Sequence, residues 1–117
     1  MKQIKLVLSK NAQEVYSFLN KESKDSKIEE SILKALHKKI DLIKENPHYG
    51  QPIEKKLIPK EYIKNYELKN LFRVELPSFW RMLYTLTNNE NEIEIIAFVL
   101  DICDHKKYNK LFKYKKR

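Results

Sequence analysis

Hydrophobic residues recur at three- and four-residue spacing along two stretches of the first half of the chain, 11–21 and 26–45. The apolar stripe of the first stretch consists of Ala12, Val15, Tyr16 and Leu19. The stripe of the second consists of Ile28, Ile32, Leu33, Leu36, Ile40 and Ile43. Ser26 and Glu29 have the spacing of a capping box at the start of the second stretch, and Pro47 ends it. These patterns predict two amphipathic helices that form an antiparallel hairpin.

Elsewhere the pattern is typical of β-strands, because β-favouring residues alternate with polar ones or form short apolar runs. The predicted strands are Gln3–Leu8, Leu71–Leu76, Trp80–Thr87 and Glu92–Ile102. Short turns at 77–79 and 88–91 join the last three strands, which indicates an antiparallel meander. The fourth strand is apolar on both faces, so we expect it in the interior of the sheet, flanked by the first. Asp104 can cap a short final helix that ends at Phe112.

The segment 47–66 carries three of the four prolines and the only glycine of the chain. This composition predicts a long irregular connection across the surface. The whole pattern predicts an α+β fold in one domain, 1–117. It has an N-terminal strand, an antiparallel helical hairpin, a three-stranded meander that completes a four-stranded sheet, a short C-terminal helix and a basic tail at 113–117.

The chain is basic, with 24 Lys and Arg against 16 Asp and Glu, a net charge of +8 and a pI near 9.5. A polyanion such as nucleic acid is a reasonable partner for such a protein, but a lysine-rich surface also serves solubility alone. Cys103 is the only cysteine, which excludes an intrachain disulfide and a cysteine zinc cluster and favours an intracellular location. The first residues lack the apolar length of a signal peptide or a membrane span. We therefore expect a cytoplasmic protein without a membrane partner.

Arginine is rare in this chain and stands at selected positions. Of the 24 basic residues only three are arginine, and Arg73 and Arg81 lie inside predicted strands. A guanidinium offers a fixed fork of donors that matches phosphate oxygens. Strand alternation places both arginines on the face opposite their apolar neighbours, so we expect them to share one open face of the sheet. Alternatively, each pairs with a cross-strand acid such as Glu75 or Glu94.

A histidine and a tyrosine follow the last strand. His105 and Tyr108 are three residues apart at the start of the predicted final helix, and this spacing puts them on one helix face. Histidine can transfer protons near neutral pH, and tyrosine can donate a hydrogen bond to a nucleotide or stack on it. The alternative is that Asp104 caps the helix and His105 is a solvated neighbour.

The order of elements, the strand Phe72-Arg73-Val74-Glu75-Leu76, the strand Trp80-Arg81-Met82-Leu83-Tyr84 and the segment 104–112 with its His-x-x-Tyr spacing together resemble the RelE/ParE toxin superfamily. The resemblance spans nearly the whole chain. It implies a ribosome-dependent endoribonuclease that cleaves mRNA and is silenced by an antitoxin protein. In such enzymes the 2′-hydroxyl of the RNA attacks the adjacent phosphate, and neither a metal nor another cofactor is needed.

The resemblance also implies roles for individual residues. Arg81 would clamp the phosphate with help from Arg73, His105 would act as general acid or base, and Tyr108 would orient the nucleotide, stack on it or share the proton transfer. Lysines would supplement the grip on the RNA; these are Lys55, Lys56, Lys69, Lys106 and Lys107.

One position departs from the pattern of RelE, and it leaves two other functions open. Glu75 is acidic where RelE has a basic residue. An acid belongs to the catalytic set of some relatives, so Glu75 is either a catalytic base or a sign of lost activity. The first alternative function is a non-catalytic, ParE-like toxin that binds DNA gyrase. The second is an inactive protein of the same fold that only binds RNA.

Overall fold

The computed structural model describes residues 3–88 and 94–113. Its strands are β1 (Gln3–Leu8), β2 (Gln51–Pro52), β3 (Phe72–Glu75), β4 (Arg81–Asn88) and β5 (Glu94–Cys103). Its helices are α1 (Lys10–Glu22), α2 (Lys27–Glu45), α3 (Lys60–Tyr66) and α4 (His105–Phe112). Two 3₁₀ turns, Lys55–Leu57 and Pro77–Phe79, complete the list of elements. The predicted turn at 88–91 lies outside the described residues from position 89 onward, as does the tail from 114 onward.

The strands form one mixed sheet with the order β1-β5-β4-β3-β2. β1 runs parallel to β5, and every other neighbouring pair is antiparallel. The α+β fold, the meander of β3, β4 and β5 and the interior place of β5 beside β1 are thereby confirmed.

The predicted count of four strands is wrong, because β2 adds a fifth. This strand has only two residues, and Gln51 pairs with Arg73 across from it. Pro52 fits an edge strand, where its missing N–H leaves no ladder bond unmade. Two residues are too few for alternation to be visible in the sequence.

The segment 47–66 is also more regular than predicted. It contains the seven-residue helix α3, which starts after Pro59 and ends where Glu67 takes a left-handed conformation (φ 52°). Tyr62 is the buried residue of this helix. A helix of two turns with one buried side chain shows no apolar stripe in the sequence. The proline and glycine content of the segment 47–66 was therefore the remaining signal, and it indicated a loop.

The helical hairpin packs on one face of the sheet and forms the main core with it. Its buried side chains come from α1, α2 and the facing sides of β3, β4 and β5, with Leu19, Leu36, Met82, Tyr84 and Val99 among them. Ser9 caps α1 by accepting a hydrogen bond from the Ala12 N–H at 3.0 Å. Ser26 lacks the expected capping bond to the backbone, because its hydroxyl donates to the Glu29 carboxylate instead.

The opposite face carries a second, smaller core under α3 and α4. It contains Ile58, Tyr62, Leu71, Leu83, Leu100, Cys103 and Tyr108. The register changes between Leu83 and Tyr84, so that Leu83 pairs with Asp101 and Tyr84 pairs with Val99. This bulge in β5 brings an acidic side chain to the second face. Within the described part of the chain, no helix is both long and apolar enough to cross a bilayer.

Candidate functional site

Arg73 and Arg81 lie together on the second face of the sheet, beside the aromatic ring of Tyr108. The Cζ atom of Arg81 is 4.6 Å from the ring centroid, and the Cζ atom of Arg73 is 5.9 Å from it. Arg73 also donates a hydrogen bond to the Tyr108 hydroxyl at 2.9 Å. Contacts between a guanidinium and an aromatic face are attractive because the ring is electron-rich. Tyr108 is only 2% exposed, so both guanidiniums pack against a buried ring.

Glu75 bridges the two arginines. Its Oε1 atom is 3.2 Å from the Nε atom of Arg73, and its Oε2 atom is 3.6 Å from the Nε atom of Arg81. The pairing with Glu75 that the sequence left as an alternative is therefore present. It crosses from β3 to β4 for Arg81 and runs along β3 for Arg73. The side chain of Glu75 is 60% exposed, whereas those of Arg73 and Arg81 are 24% and 19% exposed. Because exposed ion pairs contribute little, an incoming phosphate can compete with this carboxylate for the guanidiniums.

Two further contacts fix the direction of each guanidinium. Arg81 donates to the backbone carbonyl of Phe79 at 2.8 Å, which ties it to the turn before β4. Arg73 donates to the side-chain carbonyl of Gln51 at 2.6 Å, which ties it to β2. A cleft of about 210 Å³ opens beside Arg73, between α4 and the segment that starts at Gln51. The short strand missed in the sequence thus orients one of the predicted site residues.

His105 lies at the exposed start of α4. Its ring meets the Phe79 ring edge-on, with 6.0 Å between the centroids. Asp104 caps the same helix by accepting a hydrogen bond from the Lys107 N–H at 2.9 Å, as predicted. Since Phe79 also contacts Arg81 through its carbonyl, the imidazole lies at the margin of the arginine pair. Four predicted residues thus lie in direct contact, and His105 joins them through Phe79.

The predicted RNA-binding lysines are dispersed. Lys55 and Lys56 stand on the 3₁₀ turn beside the cleft at Arg73, and Lys56 pairs with Glu54 at 3.5 Å on the surface. Lys69 lines a separate cleft of about 510 Å³ together with Phe98. Lys106 lines a third cleft, which is formed by residues of α3 and α4. Of the predicted lysines, Lys55 and Lys56 lie between Glu54 and Leu57, which line the same cleft as Arg73.

Lys107 is held by a buried acid that the sequence reasoning missed. Its Nζ atom lies 2.9 Å from the carboxylate of Asp101, which is only 3% exposed. Burial lowers the pKa of Lys107, but the hydrogen bond and the charge of Asp101 outweigh it and raise the pKa above its usual value. The charge of Lys107 is thus paired with a carboxylate of the protein itself. The signal in the sequence was an acid inside the apolar run 95–103.

Asp101 also accepts a hydrogen bond from the Tyr62 hydroxyl. Burial raises the pKa of Tyr62, and the negative charge of Asp101 raises it further. The carboxylate thereby connects α3 and α4 to β5, and α4 is the helix that carries His105 and Tyr108. Cys103 is buried next to this group, as predicted, and burial raises the pKa of its thiol to about 12. A thiol that stays protonated at neutral pH is a poor nucleophile.

Among the residues that the structure describes, no three His, Cys, Asp or Glu side chains are grouped so as to hold a metal ion. The groups that the site brings together are two guanidiniums, one carboxylate, one imidazole and a phenol. These groups can bind an anion and can accept or release protons on either side of it.

No protein-family model and no curated protein matches the chain. Two solved structures are similar to it. A YoeB/ParE toxin from Agrobacterium tumefaciens superposes with a TM-score of 0.56 at 16% identity, over 86% of this chain and 98% of that one. A mutant of the E. coli toxin RelE in the free state superposes with a TM-score of 0.51 at 16% identity, over 97% of each chain. At this identity the likeness concerns the fold, which is the one that the sequence resemblance predicted.

Proposed function

We propose that this chain, which has the fold of the RelE and YoeB/ParE toxins, is itself a toxin that cleaves mRNA on the ribosome. We further propose that an antitoxin protein holds it inactive in the cytoplasm. The observation that carries this proposal is the pair formed by Arg73 and Arg81 on the Tyr108 ring, bridged by an exposed carboxylate. Two oriented guanidiniums match the oxygens of one phosphodiester. The ribosome, the mRNA and the antitoxin come from the superfamily resemblance.

The proposed reaction is a transfer within the RNA that uses no metal. The 2′-oxygen bonds to the adjacent phosphorus, its proton passes to the Glu75 carboxylate, and the bond from phosphorus to the 5′-oxygen breaks. His105 gives a proton to that leaving oxygen, and the products are a 2′,3′-cyclic phosphate and a 5′-hydroxyl. Arg73 and Arg81 stabilise the additional negative charge of the phosphorane. The buried phenol of Tyr108 positions both guanidiniums.

The decisive experiment is cleavage of mRNA in a purified translation reaction, read by primer extension. We expect the unchanged protein to cut ribosome-bound mRNA and Arg81→Ala to cut it on the order of 100- to 1000-fold more slowly, as for the loss of one oxyanion donor. Lys38→Ala is the matched control, because it removes one exposed positive charge from α2 on the other face of the sheet. Cleavage by Arg81→Ala at the unchanged rate would contradict the proposal.

The ion pairs of Glu75 favour a second candidate, a toxin that acts by binding DNA gyrase. In the structure this carboxylate pairs with both guanidiniums, so their charge is partly used within the protein. Expression of the chain in growing cells separates the two candidates. A ribonuclease stops translation and leaves DNA supercoiling unchanged at first, whereas a gyrase-binding toxin changes supercoiling while mRNA stays intact.

A further inference from the structure

Phe79, the last residue of the Pro77–Phe79 turn, exposes its aromatic ring to solvent. The residue is 72% exposed, the highest value among the exposed large hydrophobic residues whose burial the structure describes. A single exposed hydrophobic residue is common on protein surfaces and by itself indicates nothing. The backbone and the neighbours of this phenylalanine distinguish it from the others.

The backbone of the turn is strained at two successive residues. Ser78 (φ 59°) and Phe79 (φ 62°) both have positive φ values, and neither is glycine. Glycine adopts this conformation at no steric cost, whereas a residue with a Cβ atom is disfavoured there. The turn itself is closed by a hydrogen bond from the Trp80 N–H to the Pro77 carbonyl at 3.2 Å, which needs no aromatic side chain. Strain of this kind is concentrated at functional sites.

Phe79 also contacts two residues of the candidate site. The carbonyl of Phe79 accepts the hydrogen bond from Arg81, and its ring contacts His105. An RNA phosphate bound at Arg81 would bring its own base, or the next one, to this ring. Bases of single-stranded RNA are commonly held by stacking on aromatic side chains.

We propose that Phe79 is a stacking platform for a nucleobase that flanks the phosphate bound by Arg73 and Arg81. This inference rests on the proposed function, because it takes RNA as the substrate. Arg81, one of the two paired guanidiniums, donates to the Phe79 carbonyl, and this nearby positive charge favours a nucleic acid over a protein as the partner of the ring. Because every base has an aromatic face, the platform contributes affinity and position more than it selects one base.

The test is direct binding of short single-stranded RNA, labelled with a fluorophore and followed by fluorescence anisotropy. The RNA carries 2′-methoxy groups that prevent cleavage, and a second set has one abasic site moved through each position. We expect Phe79→Ala to weaken binding of the intact RNA by roughly 5- to 140-fold, the loss of one stacked base, and Phe79→Trp to retain it. At one position the abasic site should weaken binding to the unchanged protein but not to Phe79→Ala.

Phe79→Gly separates a role in binding from a role in folding. Glycine relieves the positive φ, so this variant should have a melting temperature no lower than that of the unchanged protein while it binds RNA as weakly as Phe79→Ala. Phe18→Ala is the matched control, because Phe18 is an exposed phenylalanine of α1 on the other face of the sheet. Binding of Phe79→Ala at the unchanged affinity, or an abasic penalty that persists in this variant at every position, would overturn the proposal.

The outcomes also separate this inference from the proposed function. If ribosome-bound mRNA is cut in an Arg81-dependent way while Phe79→Ala binds and cuts RNA normally, the platform alone is wrong. If mRNA is not cut while RNA binding depends on Phe79 and on the flanking base, the ribonuclease activity is wrong and the platform stands.

Discussion

At the scale of single residues, the candidate site depends on two arginine side chains that are held in place by hydrogen bonds. Arg73 has hydrogen bonds to Tyr108 and Gln51, and Arg81 has one to the carbonyl of Phe79. A long side chain that is already ordered loses less entropy when it binds a ligand. The paired guanidiniums are therefore oriented for a phosphate before one binds, and the exposed Glu75 carboxylate is the group that the phosphate would displace from them.

Gly50 is the residue on which the approach of β2 to the sheet depends. A Cβ atom at this position would lie 2.9 Å from Cε1 and 3.0 Å from the hydroxyl of Tyr84, and 3.0 Å from the Cβ of Phe72. The Gly50 N–H donates to the same hydroxyl at 2.9 Å, so the tyrosine cannot withdraw without losing this bond. The next residue is Gln51, which orients Arg73.

We therefore predict that Gly50→Ala lowers the free energy of unfolding by about 1–3 kcal/mol, as overpacking does. Urea unfolding followed by circular dichroism measures this change. A second expected result is weaker RNA binding, because the displaced β2 shifts Gln51. An alanine variant as stable as the unchanged protein would show that Tyr84 can move aside.

At the scale of elements, the buried group of Asp101, Tyr62 and Lys107 holds two short helices to the sheet. The folded protein raises the pKa of Tyr62 above its usual 10.0 and that of Lys107 above its usual 10.5. A raised pKa favours the protonated form in the folded state. This stabilisation is complete below the usual pKa of each group and decreases as the pH rises above it.

We predict that the free energy of unfolding falls steeply at alkaline pH and that Tyr62→Phe makes this fall less steep. Above about pH 10, removal of one such group should reduce the slope by about 1.4 kcal/mol per pH unit. Urea unfolding in a series of buffers from neutral pH to about pH 11 measures the slope. The raised pKa of Cys103, about 12, also makes the free energy of unfolding fall at alkaline pH. Cys103→Ala is therefore the matched variant that separates its share of the slope from that of Tyr62. An unchanged slope in Tyr62→Phe would mean that Tyr62 titrates alike in both states.

The elements predictable from the sequence were those long enough to show a period. The hairpin extends over 13 and 19 residues in α1 and α2, and its stripes are visible without a structure. β2 has two residues and α3 has seven, so neither completes enough of a period to be recognised. The shared face of Arg73 and Arg81 follows from alternation within single strands. The burial of Tyr108 and the contact of Lys107 with Asp101 depend on how α4 packs against the rest of the protein. A local sequence pattern contains no information about that packing.

At the scale of the whole molecule, the sheet separates a stabilising side from a functional side. The hairpin and the main core cover one face, and the arginine pair, α3 and α4 share the other. The net charge of +8 is therefore a poor guide to where RNA would bind, since many of the lysines lie on the hairpin. Only cations near the arginine pair should contact the same RNA strand.

The salt dependence of RNA binding tests this distinction between total charge and local charge. For single-stranded RNA, each phosphate neutralised by the protein contributes about −0.7 to the slope of log K against log salt. We predict that the double variant Lys55→Ala and Lys56→Ala reduces the magnitude of the slope by up to about 1.4, because both lysines lie between Glu54 and Leu57, which line the cleft beside Arg73.

Two single variants complete the comparison. Lys38→Ala on α2 should leave the slope unchanged, because the sheet lies between it and the site. Lys69→Ala should also leave it unchanged with RNA short enough to cover only the arginine pair, since Lys69 lines a different cleft. Equal effects of all the lysines would instead indicate binding through the total charge of the molecule. That result would remove the reason to place the RNA at the arginine pair, because binding would no longer depend on where a charge lies.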